Sequence, residues 1–520
     1  MKIQTILAGS CLAAAFLAGQ LWAGTSDVAD AAMNKNKAQV RTLIQQTADV
    51  NAAQADGTTA LMWAVSIDDA EMVDALLAAG ADVKIANRDG ANPLYVACSN
   101  GNAPLVEKLL RAGADPNGAV LVGGELPLMV AARTGNPEAV KSLLDHGAKV
   151  NATEPTRGTT ALMWAAEQNH PAIIKVLVEK GADVNLTAKI EKPFKQTGLT
   201  YAMKLDGKVG GLPAIAYAAR EGAIDAVKAL LDAKADVNKQ TADLSTALLI
   251  SIQNGHYDVA RYLVDHGADP NIANDKGWTP LYLAVKHRTI ETGSIPVPHA
   301  EQALDFIKVL LERNVNVNAR LGFDTEIRNG QRATWLNERG ATAFLRAALC
   351  GDVEVMKLLL AKGADPNITT NDHTTPLMAA AGIGYSEGFI HDISEETTID
   401  AMRLLLDLGA DVNAVNDKGM TALHGAAHKA SLAEIQLLVD RGGDLGRKDK
   451  GNEAFGAKKD GLLPLNWAEG VPVGVQSAIY HPEAVDLITK LMKEKGVPMP
   501  TVVRTVGGNA KANTITRNQK

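Results

Sequence analysis

The chain has few aromatic residues, few cysteines and no dense basic segment. Aromatic residues make up 4% of its 520 residues, although 46% of the residues are hydrophobic. Because one thick globular core usually relies on aromatic rings, this composition favours thin layers rich in alanine and leucine. The net charge of −7 argues against binding to nucleic acid, since a phosphate backbone requires a dense basic face.

Long hydrophobic runs are also missing, except at the N-terminus. Lys2 is the only early charge, and the apolar stretch from Ile6 to Leu17 precedes a small-residue site at Ala23. This pattern is typical of a secretory signal peptide. We therefore expect a signal peptide over residues 1–23, cleavage near Ala23 and a periplasmic or secreted protein. An uncleaved anchor or lipidation at Cys11 are the alternatives, and we expect no membrane span in the mature chain.

Cleavage would leave two cysteines, Cys98 and Cys350. A disulfide framework needs more cysteines, and these two lie six repeats apart in the pattern described next. We expect both to be small buried residues.

One short apolar phrase recurs through most of the chain at a spacing that clusters near one value. It reads Thr-Ala-Leu-Met-Trp-Ala at Thr59 and again at Thr160, and variants begin at nine other positions. Those positions are Asn92, Leu126, Pro213, Thr246, Thr279, Thr342, Thr375, Thr421 and Leu463. A second phrase, Gly-Ala-Asp or a close variant, follows most copies. Eleven registered copies indicate a repeat architecture rather than compact domains.

The chemistry of the phrases predicts one helix-turn-helix unit per copy. A threonine or small polar residue caps a first helix whose leucine and alanine face inward. A turn and a second amphipathic helix follow, as the spacing of Val140, Leu143 and Leu144 indicates. Glycine then ends the second helix. The Asp of Gly-Ala-Asp recurs with the period, which indicates an architectural role rather than acid–base chemistry.

These motifs resemble the ankyrin repeat, whose signature phrase is Thr-Pro-Leu-His-x-Ala. Thr421-Ala-Leu-His424 is the closest copy, although the histidine survives only there. The resemblance implies an all-α-dominated solenoid of about eleven helix-turn-helix units with β-hairpin-like loops. It covers residues 58–500, after an N-terminal capping half-repeat at 24–57 and before a polar tail, 501–520, that we expect to be disordered.

The repeat pattern is interrupted by insertions of two kinds, which in repeat proteins often carry binding. Some lengthen the hairpin after the second helix, and others separate the two helices of a unit. They span residues 186–211, 288–300, 319–340, 384–397, 447–461 and 470–479. Two of the long hairpins contain the aromatic candidates for partner binding, which are Phe194, Tyr201, Phe323 and Trp335.

The resemblance also implies which positions line the concave face. The residue immediately before the cap is expected to be exposed there, which makes Trp278 a candidate interface anchor. The position seven residues beyond the cap should be exposed too, and it holds Arg133, Glu167, Arg220 and Lys286. The three cations would form a basic stripe, and a partner would then present carboxylates to it. Trp63, Trp164 and Trp467 share another register position and are expected to be core.

No catalytic constellation emerges from the sequence. His424 and His428 have the i, i+4 spacing of a zinc pair, but the glutamate that would act as general base is missing. We predict no catalytic residue, no metal and no cofactor. The expected function is a monomeric, non-enzymatic scaffold that binds a protein partner on the concave face and the hairpin inserts. A secreted host-directed effector or adhesin and an enzyme with a site in the inserts are the alternatives.

Overall fold

The computed structural model describes residues 26–121, 123–191, 208–288, 300–322, 336–385, 394–451, 461–470, 479–500, 502–504 and 514–516. Within these ranges the regular secondary structure is almost entirely helical and forms twelve successive helix pairs. Contacts divide it into two compact units, Met1–Ile190 with Gly210–Thr241, and Glu191–Val209 with Ala242–Lys520. We call them unit one and unit two.

Unit one contains six helix pairs. Its first helices are α1 Asp27–Met33, α3 Ala60–Ser66, α5 Pro93–Asn100, α7 Pro127–Thr134, α9 Ala161–Glu167 and α11 Ala214–Arg220. Its second helices are α2 Lys37–Gln45, α4 Ala70–Ala78, α6 Ala103–Arg111, α8 Pro137–Asp145, α10 Pro171–Glu179 and α12 Ile224–Asp232. Each first helix from α1 to α9 packs on the next first helix, and every first helix packs on its own partner, so that the core of unit one is a series of thin layers.

Unit two repeats the arrangement. Its first helices are α13 Ala247–Gln253, α15 Pro280–Arg288, α17 Ala343–Leu349, α19 Pro376–Ala380, α21 Ala422–Lys429 and α23 Pro464–Ala468. Its second helices are α14 Tyr257–Asp265, α16 Ala300–Leu311, α18 Val353–Ala361, α20 Glu395–Asp407, α22 Leu432–Asp440 and α24 Pro482–Glu494. No helix in the described ranges combines the length and apolar character that a membrane crossing requires.

Short polar residues begin these helices, as expected from the phrase. The hydroxyls of Thr59, Thr160 and Thr246 each accept a hydrogen bond from a backbone N–H in the first turn of their helix. The phrase leucines that follow, such as Leu61 and Leu162, are buried. The predicted solenoid of helix pairs is therefore confirmed.

The N-terminal segment differs from the expected half-repeat. Residues 24–57 hold both helices of a pair, α1 and α2, and Val28 and Ala29 are buried. Ser26 lies one period before Thr59, but Asp27 and Asp30 stand among the phrase's apolar positions. These polar residues hid this copy from the pattern.

Two short strand pairs accompany the helices. In the first long insert, β1 Ile190–Glu191 pairs with β2 Val209–Gly210. In the tail, expected to be disordered, β3 Val502–Arg504 pairs antiparallel with β4 Thr514–Thr516. The β-branched residues of these tail segments favour strands. The other residues after 500 lie outside the described residues.

Cys98 in unit one and Cys350 in unit two are both buried, and neither forms a disulfide in the described part of the chain. Burial raises the pKa of the Cys98 thiol to about 12. This side chain therefore stays protonated at neutral pH and fills core space, as expected for a small buried residue.

Candidate protein-binding surface

The aspartates and asparagines that recur from repeat to repeat form hydrogen bonds within one repeat and between successive repeats. Asp183 accepts from the backbone N–H of Asn185 within its own turn. Asn151 reaches into the next repeat, where its amide donates to the Gly181 carbonyl at 3.1 Å and accepts from the Asp183 N–H at 2.9 Å. Asn51, Asn117, Asn318 and Asn413 form the same pair of bonds. The architectural interpretation of the recurring aspartate is thereby confirmed.

Trp164 is covered by two arginines in unit one. The guanidinium carbon of Arg133 lies 4.9 Å from the ring centre of Trp164, and that of Arg157 lies 5.8 Å from the same centre. The indole is 4% exposed, whereas Arg133 and Arg157 are exposed. Stacking holds both cations at the surface and leaves their N–H groups available.

Tyr217 occupies the position in α11 that Trp164 occupies in α9, and Arg220 lies over its ring at 5.0 Å. Arg220 also pairs with Glu167 from the previous first helix and with Glu221 at 2.8 Å. Burial raises the pKa of Tyr217, while the positive charges of Arg220 and Arg157 oppose that rise. Glu167 thus interrupts the expected basic stripe by neutralising Arg220.

The prediction that Trp278 is exposed is wrong. Its side chain is 3% exposed, because the position before the cap lies inside the loop that closes onto Asn274, whose side chain accepts the Trp278 N–H at 3.0 Å. Equivalent residues elsewhere are buried as well, including Thr159 and Ala341. Lys286 does not line an open cationic stripe either, since it is half-buried with its Nζ 4.3 Å from the Trp278 ring centre.

The three tryptophans expected in the core share a position in the repeat, but their burial and their hydrogen-bond partners differ. Trp164 and Trp467 are buried, whereas Trp63 is half-buried. Each indole N–H donates to a different acceptor, the Gln54 amide oxygen for Trp63, the Thr159 hydroxyl for Trp164 and the Asp449 carboxylate for Trp467. The prediction of a core role thus holds fully for two of them.

The four aromatic candidates of the hairpin inserts, Phe194, Tyr201, Phe323 and Trp335, lie outside the described residues. The structure shows the base of the first insert, where the Ala188 N–H donates to the Leu212 carbonyl at 3.0 Å. At the base of the second, Leu321 and Ala341 are joined in the same way at 3.0 Å. Both inserts therefore leave and rejoin the array through hydrogen-bonded hairpin ends.

Two ion pairs with buried members in unit two have no counterpart among the sequence-predicted residues. Arg346, at the position of Trp164, is 1% exposed and pairs with the buried Glu338 at 3.4 Å. Tyr282 donates its hydroxyl to the same carboxylate at 3.2 Å. Lys429 pairs with the buried Glu434 at 2.6 Å. Both ion pairs are local, since Arg346 and Glu338 lie eight residues apart and Lys429 and Glu434 lie five apart, whereas the Tyr282–Glu338 bond joins successive repeats.

His424 is part of the frame. Its Nδ1 accepts from the Thr421 N–H at 3.0 Å, and its Nε2 lies 3.1 Å from the Leu462 carbonyl. Burial lowers the pKa of His424 to about 4 and that of His428 to about 4. Within the described part of the chain, no three His, Cys, Asp or Glu side chains are grouped to hold a metal ion.

The family comparisons agree with this architecture. The family described as Ankyrin repeats (3 copies) matches residues 28–120, 118–188, 215–321 and 301–389, and Ankyrin repeats (many copies) matches residues 390–454. These segments cover well over half of the chain, so the chain belongs to the ankyrin repeat family. Ankyrin repeats are in general protein–protein interaction modules.

Curated relatives share parts of the array. The chain is 25% identical over 245 residues to the human transient receptor potential cation channel subfamily A member 1, covering 45% of this chain and 18% of the channel. It is 29% identical to the mouse B-cell lymphoma 3 protein homolog, covering 38% and 35%, and 28% identical to human ankyrin repeat and SOCS box protein 3, covering 38% and 37%. The chain thus spans well under half the length of these relatives.

Among solved structures, the chain is similar to the ankyrin repeat domain of human ASB11. The identity is 24% with a TM-score of 0.39, and the match covers 47% of this chain and 100% of that domain.

Proposed function

We propose that the chain is a non-enzymatic scaffold, exported from the cytoplasm, that binds a protein partner on the concave face and the long hairpin inserts. One observation carries the proposal: within a repeat, the phrase residues maintain the structure, whereas another exposed position varies. Phrase residues such as Asn151 and Thr160 hold the helices and repeats together. The position seven residues beyond the cap varies instead, and in unit one it holds Ser66, Ser99, Arg133, Glu167 and Arg220.

Family membership supports the proposal, because ankyrin arrays present extended surfaces that are larger than stability alone requires. The apolar N-terminal segment of residues 1–23 supports export and a periplasmic or secreted location. Fractionation tests this part. We expect a mature chain beginning near Gly24 in the periplasm; recovery mainly from the culture medium would favour the effector or adhesin alternative, and a cytoplasmic full-length chain would contradict export.

Photo-crosslinking in the native compartment tests the binding surface. A crosslinkable residue at Ser66 or Ser99 lies on a first helix, whereas the control positions Lys141 and Lys175 are exposed on second helices. We expect discrete crosslinked species from the first-helix positions only. Equal crosslinking from both sets, or none from either, would contradict the assignment of the partner to the concave face. Substituting Phe194 and Tyr201 by alanine should lower the yield if the first hairpin insert contributes.

A further inference from the structure

Five residues of unit one form a compact group on its first helices and an adjoining loop. They are Arg133, Arg157, Trp164, Tyr217 and Arg220, and we call them the arginine–aromatic cluster. Trp164 lies beneath Arg133 and Arg157, and Tyr217 lies beneath Arg220.

Hydrogen bonds of the buried Glu154 and of Thr159 fix the loop that carries Arg157 and the indole of Trp164. Glu154 is 3% exposed, and its carboxylate accepts hydrogen bonds from the backbone N–H groups of Thr156, Arg157 and Thr159 at 2.6 to 3.0 Å. Thr159 in turn accepts the Trp164 indole N–H at 2.8 Å. These bonds fix the loop that presents Arg157 relative to the ring on which it stacks, so little ordering remains to be done on binding.

The acidic neighbours of the cluster, Glu154, Glu167 and Glu221, make their hydrogen bonds and ion pairs with groups other than the guanidinium groups of Arg133 and Arg157. Burial disfavours the charged form of Glu154, yet the hydrogen bonds from Thr159 and Arg157 hold its pKa below the usual range, so its charge is directed into the loop. Glu167 pairs with Arg220. In the part of the chain that the structure describes, the guanidinium groups of Arg133 and Arg157 make no ion pair. Two ring-stacked cations thus remain at an exposed surface.

We propose that the arginine–aromatic cluster binds an acidic segment of the protein partner, with Arg133 and Arg157 receiving its carboxylates. Stacked guanidinium groups are preoriented for paired N–H donation to a carboxylate. The adjoining first insert adds Lys189, whose Nζ lies 3.3 Å from the Pro155 carbonyl beside the same loop. A protein segment fits better than nucleic acid, since the cations are few and the whole chain is acidic. The inference rests on the proposed function and specifies the chemistry of its partner.

A binding experiment with a defined probe tests this inference. The full mature chain is titrated into a fluorescently labelled hexaglutamate peptide with Gly/Ser flanks, and anisotropy is measured beside a hexaglutamine peptide and a single-stranded DNA of equal charge. We expect the glutamate peptide to bind more tightly than both others. No measurable preference over the glutamine peptide, or tighter binding of the DNA, would overturn the proposal.

Matched variants separate the cluster from the general charge of the protein. Arg133→Gln with Arg157→Gln should weaken hexaglutamate binding by about tenfold or more, because two charge-assisted contacts are lost. The control Lys141→Gln with Lys175→Gln removes the same charge from exposed second-helix positions and should change the affinity less than about twofold. Equal weakening by both pairs would overturn the proposal in favour of long-range attraction.

A conservative pair tests the stacked geometry. Arg133→Lys with Arg157→Lys keeps the charge but loses the planar fork, and we expect it to recover only part of the affinity. Full recovery would show that charge alone suffices and would contradict the stacked carboxylate site. All variants are compared for thermal unfolding, and the crosslinking from Ser66 and Ser99 is repeated with the glutamine pair. Persistent crosslinking without hexaglutamate binding would leave the scaffold function standing while the acidic-segment proposal fails.

Discussion

At the scale of single residues, the same position in different repeats holds side chains of different chemistry. The fourth position beyond the cap holds Trp164 under two arginines, Tyr217 under one, and in unit two the buried Arg346 paired with Glu338. The third position likewise holds His424 in α21 and Asn466 in α23. In both helices this side chain accepts the backbone N–H of the capping residue, at 3.0 and 3.1 Å, as the third residue of a capping box does.

The equivalence of His424 and Asn466 leads to a prediction about acid. Burial holds the pKa of His424 at about 4 in the folded chain, whereas an unfolded histidine titrates near 6.5. Between these values the unfolded state binds the additional proton, so His424 favours folding above about pH 6.5, and this contribution is lost as the pH falls towards 4. Its maximal size is about 3 kcal/mol.

His424→Asn removes the titration and keeps a capping side chain. We expect the variant to lose some stability at neutral pH, because the contact with the Leu462 carbonyl is lost. Its urea midpoint should also fall less than that of the parent between neutral pH and about pH 4.5. His428 titrates in both proteins and serves as the internal control. Parallel pH profiles for parent and variant would show that His424 is not a source of acid sensitivity.

At the scale of the elements, a helix is short where a neighbouring backbone approaches it. The first helix α19 ends at Ala380, and the chain turns at Gly382 with a φ of +102°. The adjacent α21 comes so close that a Cβ on Gly425 would lie 2.7 Å from the Ala381 carbonyl oxygen and 2.8 Å from the Ile383 nitrogen. Only glycine fits this contact between the two first helices.

Replacing Gly425 by alanine should therefore destabilise the protein, although alanine has a higher helix propensity than glycine. In an exposed helix the change would stabilise by up to about 1 kcal/mol, but here we expect a loss of about 1–3 kcal/mol because the backbones must separate. Urea unfolding measures the difference. Gly123→Ala is the control, since its added Cβ would have no neighbour within 4 Å, and its midpoint should hardly change. A stabilised Gly425→Ala variant would disprove the close approach.

At the scale of the whole molecule, asparagines after several of the second helices link one repeat to the next. Because these links act between neighbours, stability in such an array is expected to be local rather than shared along the chain. Asn151 connects the repeat of α7 and α8 to that of α9 and α10 through its two hydrogen bonds.

Asn151→Ala should cost about 1–2 kcal/mol, since two hydrogen bonds are lost at a partly solvated site. In hydrogen exchange we expect faster exchange from α7 to α10 and little change in α1 and α2, at the N-terminal end of unit one. Asn367→Ala is the matched control, because the Asn367 side chain is exposed and makes no hydrogen bond among the described residues. An increase spread evenly over unit one would contradict nearest-neighbour coupling.

Much of this protein could be predicted from its sequence because the information is local and repeated. The capping threonines, the inward leucines and the helix-ending glycines act within one repeat, so that the helix pairs and the core follow from the phrase alone. The first pair, α1 and α2, escaped prediction because Asp27 and Asp30 occupy positions that are apolar in the phrase.

The candidate surface depended on tertiary structure instead. Nothing in the phrase predicts that Trp278 is buried by its own loop, that Glu167 neutralises Arg220, or that Arg157 reaches Trp164. Each of these contacts joins residues from different positions of a repeat or from successive repeats. Side chains acquire such partners only when the layers stack, which is why the frame was determined by the sequence while the cluster was decided by the packing of repeats.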